Sequence, residues 1–276
     1  MSLSEEQYQR YARHLLLPEI GVAGQQRLLR SRAAVVGAGG LGSPALLYLA
    51  AAGVGYVRII DPDVVTLSNL QRQVVHRVSE LERRKVDSAR ETLAALNPDV
   101  EVDMRPELLT EENALDLLAD VDAVMDGSDN IPTRYLLNDA CFFLKKPWFY
   151  GAISRFAGQT TTFAPGREAS PCYRCLFPDP PPTEAVRACH EVGVLGVLPG
   201  LIGMIQATEC IKWLLGLGRS LIGRLVLYDA LPMRFRELPL RRDPQCALCG
   251  NAPTIKHLSA SEWPVRGEMD RPPRQQ

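Results

Sequence analysis

The chain has almost no excess charge of either sign: 31 Lys and Arg stand against 32 Asp and Glu in 276 residues, a net charge of −1. It therefore lacks the basic footprint of a general nucleic-acid binder. It also lacks any apolar run of the roughly 18–20 residues that a membrane span requires. The longest stretch, Val192 to Leu201, is interrupted by Gly193, Gly196, Pro199 and Gly200. The N-terminal segment MSLSEEQYQRYARHLLL is acidic and amphipathic, so no secretory signal is read in it and a cytoplasmic location is expected. Histidine is scarce. His14, His76, His190 and His257 form no i, i+4 pair and no H-E-x-x-H, so nothing supports histidine-based zinc catalysis. There is no G-x-S-x-G elbow. Seven cysteines, an odd number, disfavour a simple disulfide framework and point to metal, nucleophile or core roles. What is plentiful is apolar: AVILMFWYC residues make up 46%, enough for a sizeable core and too many for a disordered chain.

Ser4 before Glu5, Glu6 and Gln7 is a capping-box pattern, predicting a helix to about Leu17, with a second short helix over Gln25–Arg30. Ala33–Val36 reads as a strand, Pro44–Ala52 as a helix and Tyr56–Ile60 as a strand ending at Asp61. Val86, Ala89, Leu93 and Leu96 form one stripe of a helix over Lys85–Leu96. Val100–Met104 (strand), Glu111–Leu118 (helix), Ala123–Met125 (strand), Thr133–Leu144 (helix) and a strand from Trp148 continue the alternation. This order predicts an α/β fold: a Rossmann-like, mainly parallel sheet with helices on both faces. The character changes after 150. Gln159–Phe163 and Leu225–Tyr228 suit an antiparallel extension, Leu201–Leu215 a helix, and PDPPP at 178–182 a stiff loop. The expected organisation is one unit over 1–250, with N-terminal helices and two halves at about 31–150 and about 151–250, and a flexible tail over 251–276.

Gly37, Gly39 and Gly42 match G-x-G-x-x-G, with Gly40 inside the loop, between a strand and a helix. Asp61 follows at the end of the next strand. Glycine lets the backbone approach phosphate, the helix N-terminus favours anions, and Asp61 is placed to hold ribose hydroxyls. The loop alone cannot choose NAD, FAD or ATP. Arg72, Lys85 and Asp129 favour ATP: the two cations can neutralise triphosphate oxygens, and Asp129, beyond a parallel strand, can hold Mg²⁺.

These stretches, with Arg10-Tyr11-Ala12-Arg13-His14, Asp61 through Gln73, Asp129-Asn130, Cys172-Tyr173-Arg174-Cys175 and Ala207-Thr208-Glu209-Cys210-Ile211-Lys212, resemble the ubiquitin-activating-enzyme-like adenylyltransferases of the MoeB, ThiF and HesA kind over about residues 4–250. The resemblance implies adenylylation of the C-terminal Gly-Gly carboxylate of a small ubiquitin-like sulfur-carrier protein. It assigns the ribose to Asp61, the phosphates to Arg72 and Lys85, and magnesium to Asp129, with Asp63, Asn69, Gln73 and Asn130 in the same site. It further implies a homodimer in which Arg13 reaches the neighbouring site. One departure is local. Related chains often carry glycine shortly before the site lysine, whereas this one reads Glu82-Arg83-Arg84-Lys85, making Arg84 a rival for the phosphate role.

Cys172-x₂-Cys175 and Cys246-x₂-Cys249 are two C-x-x-C knuckles whose four thiolates suit a closed, structural tetrahedral Zn²⁺ site; a redox role is the rival. Cys141 and Cys210 lie in predicted helices as core residues. Cys189, in Ala188-Cys189-His190, stands where some relatives bond covalently to the carrier, or is a dispensable loop residue. Arg155 and Phe156 either shape a carrier-tail channel or pack a loop. The resemblance favours molybdopterin synthesis over thiamine synthesis. With no room for an appended rhodanese domain, a separate sulfur donor or sulfurtransferase is expected. A Rossmann oxidoreductase using NAD or FAD, and a zinc-stabilised nucleotide-binding module without turnover, are the rival classes.

Overall fold

The computed structural model describes residues 2–167, 170–179 and 193–258. Among them, eight strands form one sheet in the order β3-β2-β1-β4-β5-β6-β7-β8. The strands are β1 Arg32–Val36, β2 Tyr56–Ile60, β3 Glu101–Arg105, β4 Ala123–Asp126, β5 Trp148–Ser154, β6 Ala157–Phe163, β7 Arg224–Asp229 and β8 Arg234–Pro239. The pairs from β3 to β5 are parallel and those from β5 to β8 antiparallel. The expected Rossmann-like sheet with an antiparallel extension is the observed one.

The pleat divides β1 between two cores. Ala33 and Val35 face a cluster with Leu46, Leu49, Val57, Ile59 and Leu93, whereas Ala34 and Val36 face one with Ile60, Val124, Leu137, Trp148 and Phe163. Helices therefore cover both faces, which is why β1 reads as an unbroken apolar run. The helices are α1 Glu5–Arg10, α2 Ala12–Leu15, α3 Gly21–Arg30, α4 Gly42–Ala51, α5 Lys85–Leu96, α6 Ala114–Leu118, α7 Ile131–Leu144, α8 Tyr173–Leu176 and α9 Val197–Leu215. Ser4 and Gln7 form the expected capping box, but the first helix breaks at Tyr11 into two short ones. Helix α9 starts four residues before the expected Leu201. Its Pro199 falls in the first turn, where a missing N–H breaks no intrahelical bond. From α9, Gln206 Nε2 donates to the Asp126 and Phe149 carbonyls at 2.8 and 2.7 Å, tying the helix to the ends of two strands.

Chain order reverses about β1: β2 lies on one side and β4 on the other, so a crevice opens at their carboxyl ends. The two loops there meet backbone to backbone. Gly37 has φ +96°, and a Cβ on it would sit 2.6 Å from the Gly127 carbonyl oxygen. After the crevice, residues 251–258 remain attached to the body. The Thr254 and Ile255 amides donate to the Ala247 carbonyl, and Leu258 packs on the second core. The expected tail beyond them lies outside the described residues, as does Cys189.

The segment before Lys85 takes a strained path. Glu82, three residues before the lysine, has φ 65° and an exposed side chain. A non-glycine residue there costs about 1–2 kcal/mol, which the greater chain entropy of glycine only partly offsets. Glu82→Gly is expected to stabilise the fold by about 0.5–1 kcal/mol, read as a higher urea midpoint with unchanged slope. A lower midpoint would contradict this account.

Candidate active site

The crevice holds a cleft of about 270 Å³, and its walls are the residues that the sequence singled out: Gly37, Gly39 and Gly40 on the loop, then Asp61, Asp63, Arg72, Gln73, Lys85, Asp129 and Asn130. The glycine loop lies against two side chains of the turn after the 3₁₀ segment Leu67–Asn69. A Cβ on Gly39 would lie 3.5 Å from Gln73 Nε2, and one on Gly40 3.5 Å from Arg72 Cγ. Gly42 is fixed by sterics, because a Cβ there would collide with the Gly37 carbonyl. Asn69 and Arg13 stand apart from the cleft wall. The Asn69 carbonyl accepts the amides of Arg72 and Gln73 at 3.1 and 3.0 Å and so shapes the turn that carries them. Arg13 is exposed on α2. Of the two neighbouring cations, Lys85 lines the cleft and Arg84, exposed at the N-cap of α5, does not.

Asp61 is buried, and both of its oxygens are engaged: Oδ2 accepts from Ala38 N at 2.7 Å and Oδ1 from Asp63 N at 2.8 Å. Each retains a lone pair for an incoming hydroxyl. Burial pushes the Asp61 carboxyl up from its ordinary value, and Lys85 pulls it back. Lys85 Nζ lies 3.0 Å from Asp63 Oδ2, its side chain nearly buried and its ammonium paired. Asn130 uses its Oδ1 to cap α7 through Thr133 N at 2.9 Å. This cap directs the preceding Asp129, which is exposed, over the cleft.

The structure adds two charged residues that sequence reasoning missed. Asp126 ends β4 with no solvent-exposed side-chain surface. Its Oδ1 accepts from Ser128 N and Oγ at 3.0 and 2.6 Å, while Oδ2 has no hydrogen-bond partner among the described residues. Arg134, one turn into α7, brings its Nε to 3.8 Å from that oxygen and its Nη2 to 3.3 Å from the Ser128 carbonyl. Both residues were hidden in apolar runs, and only the rarity of an unpaired buried charge could have flagged them. Arg134 and Asp129 also line a second cavity of about 450 Å³ beside β5, β6 and β7, whose walls include Gln159, Tyr228 and Arg236. The two cavities also share Ile153 and Ser154. Arg155 and Phe156, at the tip of the β5–β6 hairpin, line neither; their carbonyls accept the Leu195 and Ala230 amides and hold neighbouring loops.

The second site of interest is the cysteine cluster. Cys172, Cys175, Cys246 and Cys249 place their four sulfurs within 4.8 Å of one another, with Cys172–Cys246 at 3.5 Å, Cys175–Cys249 at 3.3 Å and Cys172–Cys175 at 3.9 Å. Metal–sulfur bonds of about 2.3 Å in a tetrahedron imply sulfurs about 3.8 Å apart, so the set fits a metal ion. Backbone amides of Asp243 and Cys249 point at the Cys175 and Cys246 sulfurs, at 3.3 and 3.5 Å, as suits thiolates. Cys141 and Cys210 are fully buried, and burial pushes both thiols up, which leaves them inert core groups.

A sequence profile described as the ThiF family matches residues 11–248. The chain belongs to the ThiF family. It is 50% identical over 261 residues to a sulfur carrier protein adenylyltransferase of Thermus thermophilus, covering 94% of this chain and 96% of that one. It is 51% identical over 250 residues to the SAMP-activating enzyme E1 of Haloferax volcanii, covering 91% and 92% of the two chains. To a probable adenylyltransferase/sulfurtransferase, MoeZ, of Mycobacterium tuberculosis it is 48% identical, covering 88% of this chain but 62% of that longer one. Among solved structures, E. coli MccB with succinimide superposes with a TM-score of 0.79 at 18% identity, over 90% of this chain and 75% of that one, which shows a shared fold. The sequence resemblance is thereby borne out, and the chain is an adenylyltransferase.

The buried carboxyl of Asp126 sets a pH dependence. Burial pushes it up to about 6, against the pull of Arg134, while in the unfolded chain it titrates at about 3.9. The folded state therefore binds more protons between these values, so this group's contribution to stability falls as pH rises from about 4 to about 6, by a total on the order of 3 kcal/mol. A carboxyl ¹³C titration is expected to give a midpoint near about 6 for Asp126, and Asp126→Asn is expected to flatten stability over that window. A midpoint at about 4 would refute the assignment.

Proposed function

We propose that this protein adenylylates the C-terminal carboxylate of a ubiquitin-like sulfur-carrier protein ending in Gly-Gly, forming an acyl-adenylate and pyrophosphate. The observation that carries this reading is a pair of adjacent cavities, the cleft at the glycine loop and the cavity of about 450 Å³ beside β5–β7, which share Asp129, Arg134, Ile153 and Ser154 as wall residues; the first is read as the place of the nucleoside triphosphate and the second as that of an extended peptide tail. The relatives named for sulfur-carrier adenylylation support it.

The chemistry follows from the residues. A terminal carboxylate oxygen attacks the α-phosphorus of ATP in line with the departing pyrophosphate, and no protein nucleophile is required. Asp61 holds the ribose hydroxyls. The Gly39 and Gly40 amides, Arg72, Lys85 and Gln73 hold and neutralise the phosphates, with Asp63 keeping the Lys85 ammonium in place until the nucleotide arrives. Asp129 would hold Mg²⁺ brought with the phosphates; a single exposed carboxylate beside a polyphosphate site fits this ion, which spreads the developing charge. Arg13 would complete the neighbouring site across a homodimer, in keeping with its exposure and its distance from the cleft wall of its own chain.

The Cys172, Cys175, Cys246 and Cys249 set is read as a structural zinc site. The intact C-x-x-C pair, the Arg10-Tyr11-Ala12-Arg13 segment and the Asn69–Gln73 run favour molybdopterin synthesis, with the thiamine-pathway carrier as the alternative, and a separate sulfur donor would complete the pathway. No helix among the described residues is long and apolar enough to cross a membrane, which agrees with a cytoplasmic enzyme.

Carrier-dependent ATP–pyrophosphate exchange, measured with candidate carriers whose Gly-Gly is intact or deleted, is expected only with the intact tail. Asp129→Ala is expected to lower exchange by about 100-fold or more with an unchanged melting temperature. Unimpaired exchange in that variant would refute the magnesium assignment, and stabilisation by NADH in place of Mg-ATP would favour the oxidoreductase class. Metal analysis is expected to find about one zinc per chain, and strong chelation to lower the melting temperature. Protein purified without chelators and free of zinc would defeat the structural-zinc reading.

A further inference from the structure

His76 lines neither cavity, yet it is buried and fully engaged against the phosphate loop. Its Nε2 lies 3.0 Å from the Ala38 carbonyl oxygen and its Nδ1 2.7 Å from Ser88 Oγ. Ser88 Oγ in turn lies 2.8 Å from Glu80 Oε2, a buried carboxylate oxygen that also accepts the Arg77 amide at 2.8 Å. A carbonyl only accepts, so Nε2 carries the ring proton that faces the loop. Ser88 has one hydroxyl hydrogen and can give it to Nδ1 or to Glu80 but not to both, so the ring's orientation is held by the Ala38 carbonyl on one side and by Ser88 Oγ on the other, with Ser88 itself placed against Glu80. Glu80, Asp61 and Lys85 are the charged groups that face the imidazole, and Arg83 reaches the far oxygen of Glu80 at 4.0 Å.

The geometry of the peptide gives this chain a purpose. The carbonyl that His76 holds belongs to the Ala38–Gly39 peptide. That unit is planar and trans, so its N–H points opposite to its C=O. Holding the oxygen against His76 therefore sends the Gly39 N–H the other way, toward the cleft that Gly39 lines. The amide of the same Ala38 is tied to Asp61 Oδ2 at 2.7 Å, so the residue is clamped at both ends. Ser43 Oγ, 3.3 Å from the Ala38 oxygen, is the longer and weaker of that oxygen's two side-chain contacts.

We propose that His76, steadied by Ser88 and Glu80, is a positioning residue for the nucleotide: it locks the Ala38 carbonyl and so presents the Gly39 N–H to the phosphates of ATP. This rests on the ATP reading above. It differs from a purely packing role in that its effect is confined to phosphate-bearing ligands. The test uses the full chain with His76→Leu and His76→Gln, titrated calorimetrically with Mg-ATP and with adenosine. Leucine removes the donor, whereas the glutamine amide keeps an N–H that can donate to the Ala38 carbonyl. His76→Leu is expected to weaken Mg-ATP by about tenfold and to leave adenosine unchanged; His76→Gln is expected to stay within about threefold of the parent for both. Equal weakening of both ligands by leucine, or no rescue by glutamine, overturns the proposal. Ring ¹⁵N spectra of the unsubstituted protein provide a test that needs no ligand. Nε2 is expected to remain protonated from about pH 6 to about pH 8, and an unprotonated Nε2 overturns the clamp. Should the parent protein fail to bind Mg-ATP, the functional reading falls, while the ring spectra still decide whether the clamp exists.

Discussion

The site depends on one close approach of backbone. The loops leaving β1 and β4 pack against each other with no side chain between them. The Gly127 amide donates to the Val36 carbonyl at 2.8 Å, and the Gly37 amide to the Ile60 carbonyl at the end of β2, also at 2.8 Å. Three adjacent strand ends are thereby tied together within the reach of one nucleotide. The acid assigned to the ribose follows β2, the glycine loop assigned to the phosphates follows β1, and the acid assigned to magnesium follows β4. Adjacent strands lie about 4.8 Å apart, so groups projecting beyond three of them span about the length of a nucleoside phosphate. A side chain wedged into the crossing would separate the phosphate loop from Asp129 without touching either.

Around this crossing, buried charges are arranged in pairs. Lys85 is almost buried, and an unpaired ammonium there would be costly; Asp63 supplies the counter-charge. Asp126 and Arg134 do the same at the entrance to the second cavity, though at 3.8 Å their pairing is loose and Asp126 Oδ2 is left without a hydrogen bond. A phosphate bound as proposed would compete with Asp63 for an ammonium that is already oriented, so little side-chain entropy would remain to be lost on binding. The looser pair has the opposite character: it leaves a buried guanidinium with donor capacity facing the groove.

Much of this was legible because the sheet's parallel half obeys simple patterning. Ala33–Val36 and Ala123–Met125 are short apolar runs bounded by turns, and the glycine spacing after the first fixes the strand–loop–helix order. The chemistry-bearing residues at strand ends were readable for the same reason. Strand β8 was not: all six of its residues are exposed, so Arg234–Pro239 carries no burial signal, and only its pairing with β7 makes it a strand. The start of α9 was misplaced because Pro199 and Gly200 read as breakers, whereas a first turn accepts both. Asp126 and Arg134 escaped notice because each has its counter-charge eight residues away, one on a strand and one on a helix, and binary patterning does not record such pairs. Glu82 was visible only as a departure from relatives; its left-handed backbone is a property of the folded turn.

The cysteine cluster sits far from the phosphate loop, yet it bears on the site through α7. Helix α8, which carries Cys175, is fastened along α7 by three contacts. Tyr173 N donates to Asn138 Oδ1 at 2.7 Å, Arg174 pairs with Asp139 at 2.7 Å, and Tyr135 Oη donates to the Phe177 carbonyl at 2.7 Å. The same α7 begins at the Asn130 cap and carries Arg134 one turn later. A metal holding Cys172 and Cys175 against Cys246 and Cys249 would close a loop of about 70 residues and stiffen α8, and with it the helix whose first turn shapes the junction of the two cavities. Such a metal would not need to approach the nucleotide to matter for catalysis. It would act by removing the slack through which α7, and so Asp129 and Arg134, could drift from the glycine loop, and drift on the scale of an ångström is enough to lose in-line geometry.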